Sequence, residues 1–389
     1  MNKAISLLLL LSLSSCATSW SHFTDQLSER SSDQRTFQIR NVWARNTLEQ
    51  PNEKYRKINR MTPIVAGSLL IQGNGLDGIV AYDRGTGEMK WRVNVPNGVE
   101  GGAAFINDRL FFGGSDGNFY SVSLRDGKVL WTYAAKAENL SEPVIDSING
   151  VVFFLSGNNV VYALDAESGR QVWTYSRQDA NNFSVRGGTK PALKNDLLYV
   201  GFSEGSLIAF NTKSGSPVWE LQLNKNKRFR DIDATPVLDG DQLYVSGYDD
   251  KLYCIQAARG EIIWKIDGGG YYGISLVGDK IYYPTSTGDV MALKKSDGSK
   301  IWSYKLSDGI PTGLRTYKGL VVFGESQGKL VFLDQGTGKK IGEFEPGRGI
   351  LSTPAVDEKN ERLYFISGEA NIYALEAHWD YPSAFPYLR

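Results

Sequence analysis

One pattern returns along most of the chain: IVAYDRGTGEMKW (79–91), FYSVSLRDGKVLW (119–131), VYALDAESGRQVW (161–173) and LIAFNTKSGSPVW (207–219). It continues as LYCIQAARGEIIW (252–264), VMALKKSDGSKIW (290–302) and LVFLDQGTGKKIG (330–342). The tryptophans stand at 91, 131, 173, 219, 264 and 302, with Gly342 in the seventh place, so the period is 38 to 46 residues. Upstream of each copy lie further alternating segments, as in ATPVLDGDQLYVSGYDDKLYCI (234–255), which makes one unit four short antiparallel strands. A repeat of that length and strand count is a propeller blade. No blade covers both of its faces alone, so the copies must stack into a ring.

Each piece of the repeat has a physical reason. The Asp-x-x-(Thr/Ser)-Gly turn needs a residue that tolerates positive φ, which Gly supplies without steric cost. The Trp beyond the turn can wedge against the neighbouring blade and bury roughly 150–250 Å². After the seventh unit, STPAVDEKNERLYFISGEANIYALEAHW (352–379) supplies three more strands and then the pattern stops. The missing outer strand is available at the other end of the chain, in RTFQIRNVWAR (35–45), which alternates apolar residues and carries Trp43. The expected fold is therefore all-β: an eight-bladed β-propeller of four-stranded antiparallel blades, the last closed by the N-terminal strand. Closure removes the free edges that a sheet would otherwise expose.

The first residues follow a different logic. MNKAISLLLLLSLSSC has one positive charge at Lys3, an apolar run from Ala4 to Leu13, and then small residues. That is the layout of a secretory signal, too short to span a bilayer as a helix. Leu13-Ser14-Ser15-Cys16 resembles the bacterial lipobox, in which cleavage falls before a Cys that becomes acylated. The expected organisation is a lipoprotein signal peptide over 1–15, an acylated Cys16 with a polar, flexible tether over 16–35, and one propeller domain over 36–389. Acyl chains contribute about 0.8 kcal/mol per buried CH₂, so a multiply acylated Cys16 is a stable anchor. Ala17 follows the Cys where an Asp would retain the protein at the inner membrane; by resemblance to Gram-negative lipoproteins this implies the periplasmic face of the outer membrane. The other cysteine, Cys254, stands in the strand pattern KLYCIQA and is expected to be a buried small hydrophobe.

Charge and chemistry narrow the function. Lys+Arg and Asp+Glu are 43 each, so no nucleic-acid partner is expected. The two histidines are His22, in the tether, and His378, near the end, so neither a His-based metal site nor a Ser-His-Asp triad can assemble inside a propeller. No catalytic residue, metal or cofactor is expected. The unusual texture is NKNKRFRDIDATPVLDG (224–240), where basic residues crowd ahead of Asp231 and Asp233. The first strands of several units begin near a Pro: Pro63, Pro143, Pro191, Pro236 and Pro354. Arg186 lies five residues before Pro191 and Asp231 five before Pro236, so the two hold one slot in consecutive blades. The same slot holds Ile58, Glu138 and Gly349 elsewhere, so the repeat does not demand charge there. Three readings fit: a docking patch formed with Phe183 and Val185, a surface ion pair that binds nothing, and a pair of catalytic carboxylates sharing a proton. The basic run itself, NKNKRFR (224–230), suits a solvated loop or contact with anionic lipid or peptide.

The repeat Ala-x-Asp-x-x-(Thr/Ser)-Gly-x-x-x-Trp resembles the blades of pyrroloquinoline-quinone (PQQ) dependent dehydrogenases, but the chain lacks their adjacent Cys-Cys pair and any assignable Ca²⁺ cluster. With its lipobox and its length, the chain from Cys16 to the end is similar to the BamB family of the outer-membrane β-barrel assembly machine. NFSVRGGTKPAL (182–193) looks like that family's apolar-x-apolar-Arg-Gly loop, with Phe183 and Val185 in place of leucines, and FRDIDATPVL (229–238) looks like its Asp-x-Asp-x-x-Pro loop. The resemblance implies a non-enzymatic scaffold lipoprotein that assists insertion of outer-membrane proteins. It implies that Phe183, Val185, Arg186, Asp231 and Asp233 dock on a periplasmic POTRA domain of BamA, alongside the rest of the BAM complex. Unfolded outer-membrane protein clients are a second class of partner. The alternatives are a PQQ-dependent dehydrogenase-like propeller and another ligand- or peptide-binding periplasmic propeller.

Overall fold

The structure, a computed structural model, describes residues 35–50, 58–177, 189–224, 231–232, 234–248 and 251–380. Contacts divide the chain into two units, Asn41–Glu376 and a small one made of Met1–Arg40 with Ala377–Arg389. In the small unit Phe37 packs on Trp379 with ring centroids 5.2 Å apart, and the Arg35 guanidinium sits 5.4 Å from the centre of the Trp379 ring.

The large unit holds a propeller ring of eight four-stranded antiparallel blades. Blades 1 to 7 span residues 64–94, 103–134, 144–176, 192–222, 237–267, 275–305 and 315–344, with their strands in sequence order from the channel outward. Blade 8 takes its inner three strands from Ala355–Asp357, Arg362–Ile366 and Asn371–Asp380, and its outermost from Thr36–Asn46. The expected closure by the N-terminal strand is thus observed.

Burial follows from the stacking. In blade 3, Val151–Leu155 and Val160–Asp165 are buried along almost their whole length because a neighbour covers each face, whereas Gln171–Ser176 fully buries only Trp173. The apolar clusters accordingly lie between blades. Phe111 and Phe119 of blade 2 share one with Val152, Phe154 and Tyr162 of blade 3, and Phe119 stacks on Phe154 at 3.9 Å.

The tryptophans rivet these seams. Each lies over the turn glycine of the next blade: Trp43 on Gly87, Trp91 on Gly127, Trp131 on Gly169, Trp173 on Gly215, Trp219 on Gly260, Trp264 on Gly298 and Trp302 on Gly338. A Cβ on those glycines would come within 2.5–2.9 Å of a ring atom. Each indole N–H also donates to a carbonyl of the same turn, for example Trp91 to Leu124 at 3.0 Å and Trp173 to Thr212 at 2.7 Å. Across their own sheets the six tryptophans of blades 1 to 6 face a small residue: Ala81, Ser121, Ala163, Ala209, Cys254 and Ala292 pair with Trp91, Trp131, Trp173, Trp219, Trp264 and Trp302. Cys254 is fully buried in that slot, and burial pushes its thiol up to about 11, which suits a space-filler and not a nucleophile.

Blade 7 inverts the pair, setting Phe332 opposite Gly342. The reason lies in blade 8. Its third and fourth strands come from opposite ends of the chain, so no turn joins them and a Trp at 342 would have nothing to dock on. Aromatic contacts hold that seam instead: Phe344 of blade 7 meets Tyr373 at 5.6 Å and Phe365 at 6.0 Å, and the Tyr373 hydroxyl donates to Pro346 O at 3.0 Å.

Candidate functional site

The loops leading into the blades start from a shared backbone rule. Inner strands begin at Ile64, Val144, Ala192, Val237 and Ala355, each one residue past a proline. Proline suits the position because it has no N–H to leave unpaired at the strand start. Five residues before the proline, the carbonyls of Glu138, Asp231 and Gly349 accept from Gly157, Tyr248 and Gly368 at 2.8, 3.2 and 2.7 Å. Each donor stands two residues beyond its own blade's second strand, so these loops occupy equivalent places at one mouth of the ring.

The loops of blades 4 and 5 also meet each other. Thr189, just before blade 4, donates its hydroxyl to Ile232 O, in the loop before blade 5. The Ile232 N–H donates to Phe202 O of blade 4 at 3.2 Å. Its side chain, 1% exposed, lies in a cluster with Tyr199, Leu207, Leu223 and Val245. Gly201 makes the room: a Cβ there would stand 2.5 Å from the Ile232 methyl.

Asp231, next in sequence to that anchor, is also only 1% exposed. Burial of that depth leaves little of the Asp231 side chain for a partner to reach. Phe183, Val185, Arg186 and Asp233 lie outside the described residues, as do Cys16 and the basic residues of 225–230.

The residues that line the central channel drew no notice in the sequence. A cavity of about 290 Å³ is walled by Arg60, Glu142, Lys190, Tyr272 and Arg315, with threonines, glycines and aliphatic side chains between them. Glu142 is ion-paired with Lys190. A quinone held against Ca²⁺ would need about six to eight oxygen ligands around the ion, several of them carboxylates. Among the described residues the cavity wall offers one carboxylate, Glu142, already ion-paired with Lys190, so this channel does not fit that cofactor.

Comparison with known proteins places the fold and the family. The model of a family described as "Outer membrane protein assembly factor BamB" matches residues 76–304. A protein of that name from Shewanella oneidensis is 26% identical over 384 residues, covering 93% of this chain and 95% of its own. The crystal structure of BamB from Moraxella catarrhalis superimposes with a TM-score of 0.74 at 22% identity, over 87% of this chain and 100% of that one. A quinohemoprotein alcohol dehydrogenase from Pseudomonas putida shares the fold, with a TM-score of 0.71 at 15% identity over 90% of this chain and 78% of that one. The propeller fold is thus common to both kinds of protein. The family model, which covers more than half of the sequence, separates them: this chain belongs to the outer membrane protein assembly factor BamB family.

Proposed function

We propose that the chain is a non-enzymatic scaffold lipoprotein of outer-membrane β-barrel assembly, anchored through an acylated Cys16 on the periplasmic face of the outer membrane. In this reading residues 1–15 are a signal removed on export, 16–35 a tether and 36–389 the propeller. The loops before blades 4 and 5 dock on a POTRA domain of BamA, which links the protein to the rest of the BAM complex. Phe183, Val185, Arg186 and Asp233 are the contacts, and Asp231 sets its loop from within. The observation that supports this reading is the Thr189–Ile232 hydrogen bond, which ties the loops before blades 4 and 5 to each other.

Breaking a desolvated interface charge costs roughly 2–5 kcal/mol, about 30- to several-thousand-fold in affinity. Arg186→Glu is expected to abolish co-purification with BamA from detergent-solubilised membranes while the melting temperature stays within a degree or two of wild type. Unchanged co-purification would sink the patch. A collapsed melting curve would mean that Arg186 serves the fold.

The likeness to a dehydrogenase supports a second reading, which the channel wall does not favour. Purified protein given PQQ, Ca²⁺ and ethanol is expected to reduce no dye acceptor above the protein-free rate. Steady turnover would restore the enzyme.

A further inference from the structure

Arg315 breaks a pattern that the other seven blades keep. At one position of the innermost strand the blades carry Ile64, Ala104, Val144, Ala192, Val237, Ser275, Arg315 and Ala355 (blade 2 starts its strand one residue early). Seven of these are small or aliphatic, so the ring itself has no use for a guanidinium there. The group is open to the channel yet enclosed by the ring wall, and that enclosure lowers its pKa from the usual arginine value. One Nη donates to Leu314 O at 3.1 Å, which takes one of its five N–H donors. Among the described residues no carboxylate forms an ion pair with it; Glu142, whose field reaches it, is bound to Lys190.

Beside Arg315 the cavity wall includes Ile64, Ala103, Leu140, Val237 and Ile274. One residue further along the innermost strands, about 3.3 Å deeper, seven of the eight blades carry an apolar side chain, from Val65 in blade 1 to Val356 in blade 8, with Thr316 the exception. Each of these eight keeps some exposure, and Phe105 of blade 2 is 41% exposed. Neighbouring blades cover both faces of an innermost strand, so what remains exposed on it opens to the channel. Tyr272 narrows the passage by reaching from the loop before blade 6 past blade 7 to donate its hydroxyl to Leu351 O at 2.5 Å, before blade 8.

We propose that this channel binds one straight-chain fatty acid, its carboxylate on the Arg315 guanidinium and its hydrocarbon chain along the apolar wall. A planar guanidinium matches two carboxylate oxygens at once. A single head group suffices, because the Glu142–Lys190 pair is neutral as a unit and the Arg60 guanidinium is engaged over the Tyr271 ring at 5.2 Å. The apolar residues follow one another along the channel, which suits an extended chain over a compact body. Each methylene taken out of water there should tighten binding about fourfold. The cavity of about 290 Å³ stands at the low end of ligand pockets, with room for one short chain. None of this rests on the docking loops or on the assembly role.

The test is calorimetric titration of the purified full chain with octanoate, at constant ionic strength and below the micellar range. Hexanoate, acetate and neutral octanamide are the comparison probes. Octanoate is expected to bind at one site per chain, about tenfold tighter than hexanoate, with no heat from acetate. Octanamide should bind at least about tenfold more weakly than octanoate. Arg315→Ala should weaken octanoate by the same factor while leaving octanamide unchanged. Its melting curve should be unaltered, because Ala192 and Ala355 already fill that position in blades 4 and 8. No octanoate binding, hexanoate or octanamide binding as tightly as octanoate, or an Arg315→Ala protein that binds octanoate like wild type would each overturn the proposal.

Discussion

A chain lacking Thr36–Asn46 is expected to aggregate or be degraded instead of forming a stable ring. The strand supplies the outer edge of blade 8, and with it the rivet between the last blade and the first. Trp43 is 7% exposed, lies over Gly87 and donates its indole N–H to Arg84 O at 3.1 Å. Arg45 adds a bond from Nε to Gly87 O at 2.9 Å, and Asn46 donates to Asn371 at 2.9 Å. Deletion removes all of these and bares the edge of Asn371–Asp380, a template for intermolecular pairing. It also exposes the cluster of Leu70, Val80, Tyr82, Tyr364 and Ile372 that Trp43 covers. Other seams keep their rivets, but a ring opened at one seam has two uncovered blade faces.

The milder variant Trp43→Ala is expected to cost about 3–5 kcal/mol, the usual range for truncating a buried Trp. Equilibrium urea unfolding measures it, with Phe37→Ala as a comparison outside the large unit. A synthetic peptide of residues 36–46, added to the truncated protein during refolding, should restore a monomeric species by strand addition. A truncated protein with the full-length denaturation midpoint would refute the closure.

How much was legible differs between the ring and its surfaces. Blade number and closure could be read because a Trp must reach the next blade's turn, and that geometry fixes the spacing between Ala81, Gly87 and Trp91 in every copy. The lapse at Gly342 was visible, but its cause was not. It depends on the chain break in blade 8 and on Phe332 filling the space from the opposite strand. Proline spacing placed Arg186 and Asp231 in equivalent slots, and the backbone bonds of Glu138, Asp231 and Gly349 follow that rule. Depth was beyond it. Alternation tells which side a residue takes, whereas the burial of Asp231 depends on Ile232 being drawn over Gly201 and on Thr189, 43 positions away from Ile232. Arg315 stayed hidden for a related reason. A single arginine at the start of a strand carries no signal until eight equivalent positions are aligned around one channel.

The repeat glycines allow backbone strain to be separated from seam packing, and the expected difference is large. Gly215 and Gly240 both have positive φ, +70° and +54°, and lie in the turns of neighbouring blades. An alanine at either is strained by about 1–2 kcal/mol. A Cβ on Gly240 meets nothing within 4 Å, whereas one on Gly215 would lie 2.6 Å from Trp173 Cδ2. Trp173 cannot retreat without losing its bond to Thr212 O and its place beside Phe153, Leu198 and Phe210. Gly215→Ala is therefore expected to cost about 2 kcal/mol or more beyond Gly240→Ala, through displacement of a buried Trp. In a Trp173→Ala background the same change should cost only the strain, a coupling of about 2 kcal/mol in a double-mutant cycle. Equal losses for the two glycine variants, or additive effects of Gly215→Ala and Trp173→Ala, would mean that backbone conformation and not tryptophan docking selects glycine in the turn.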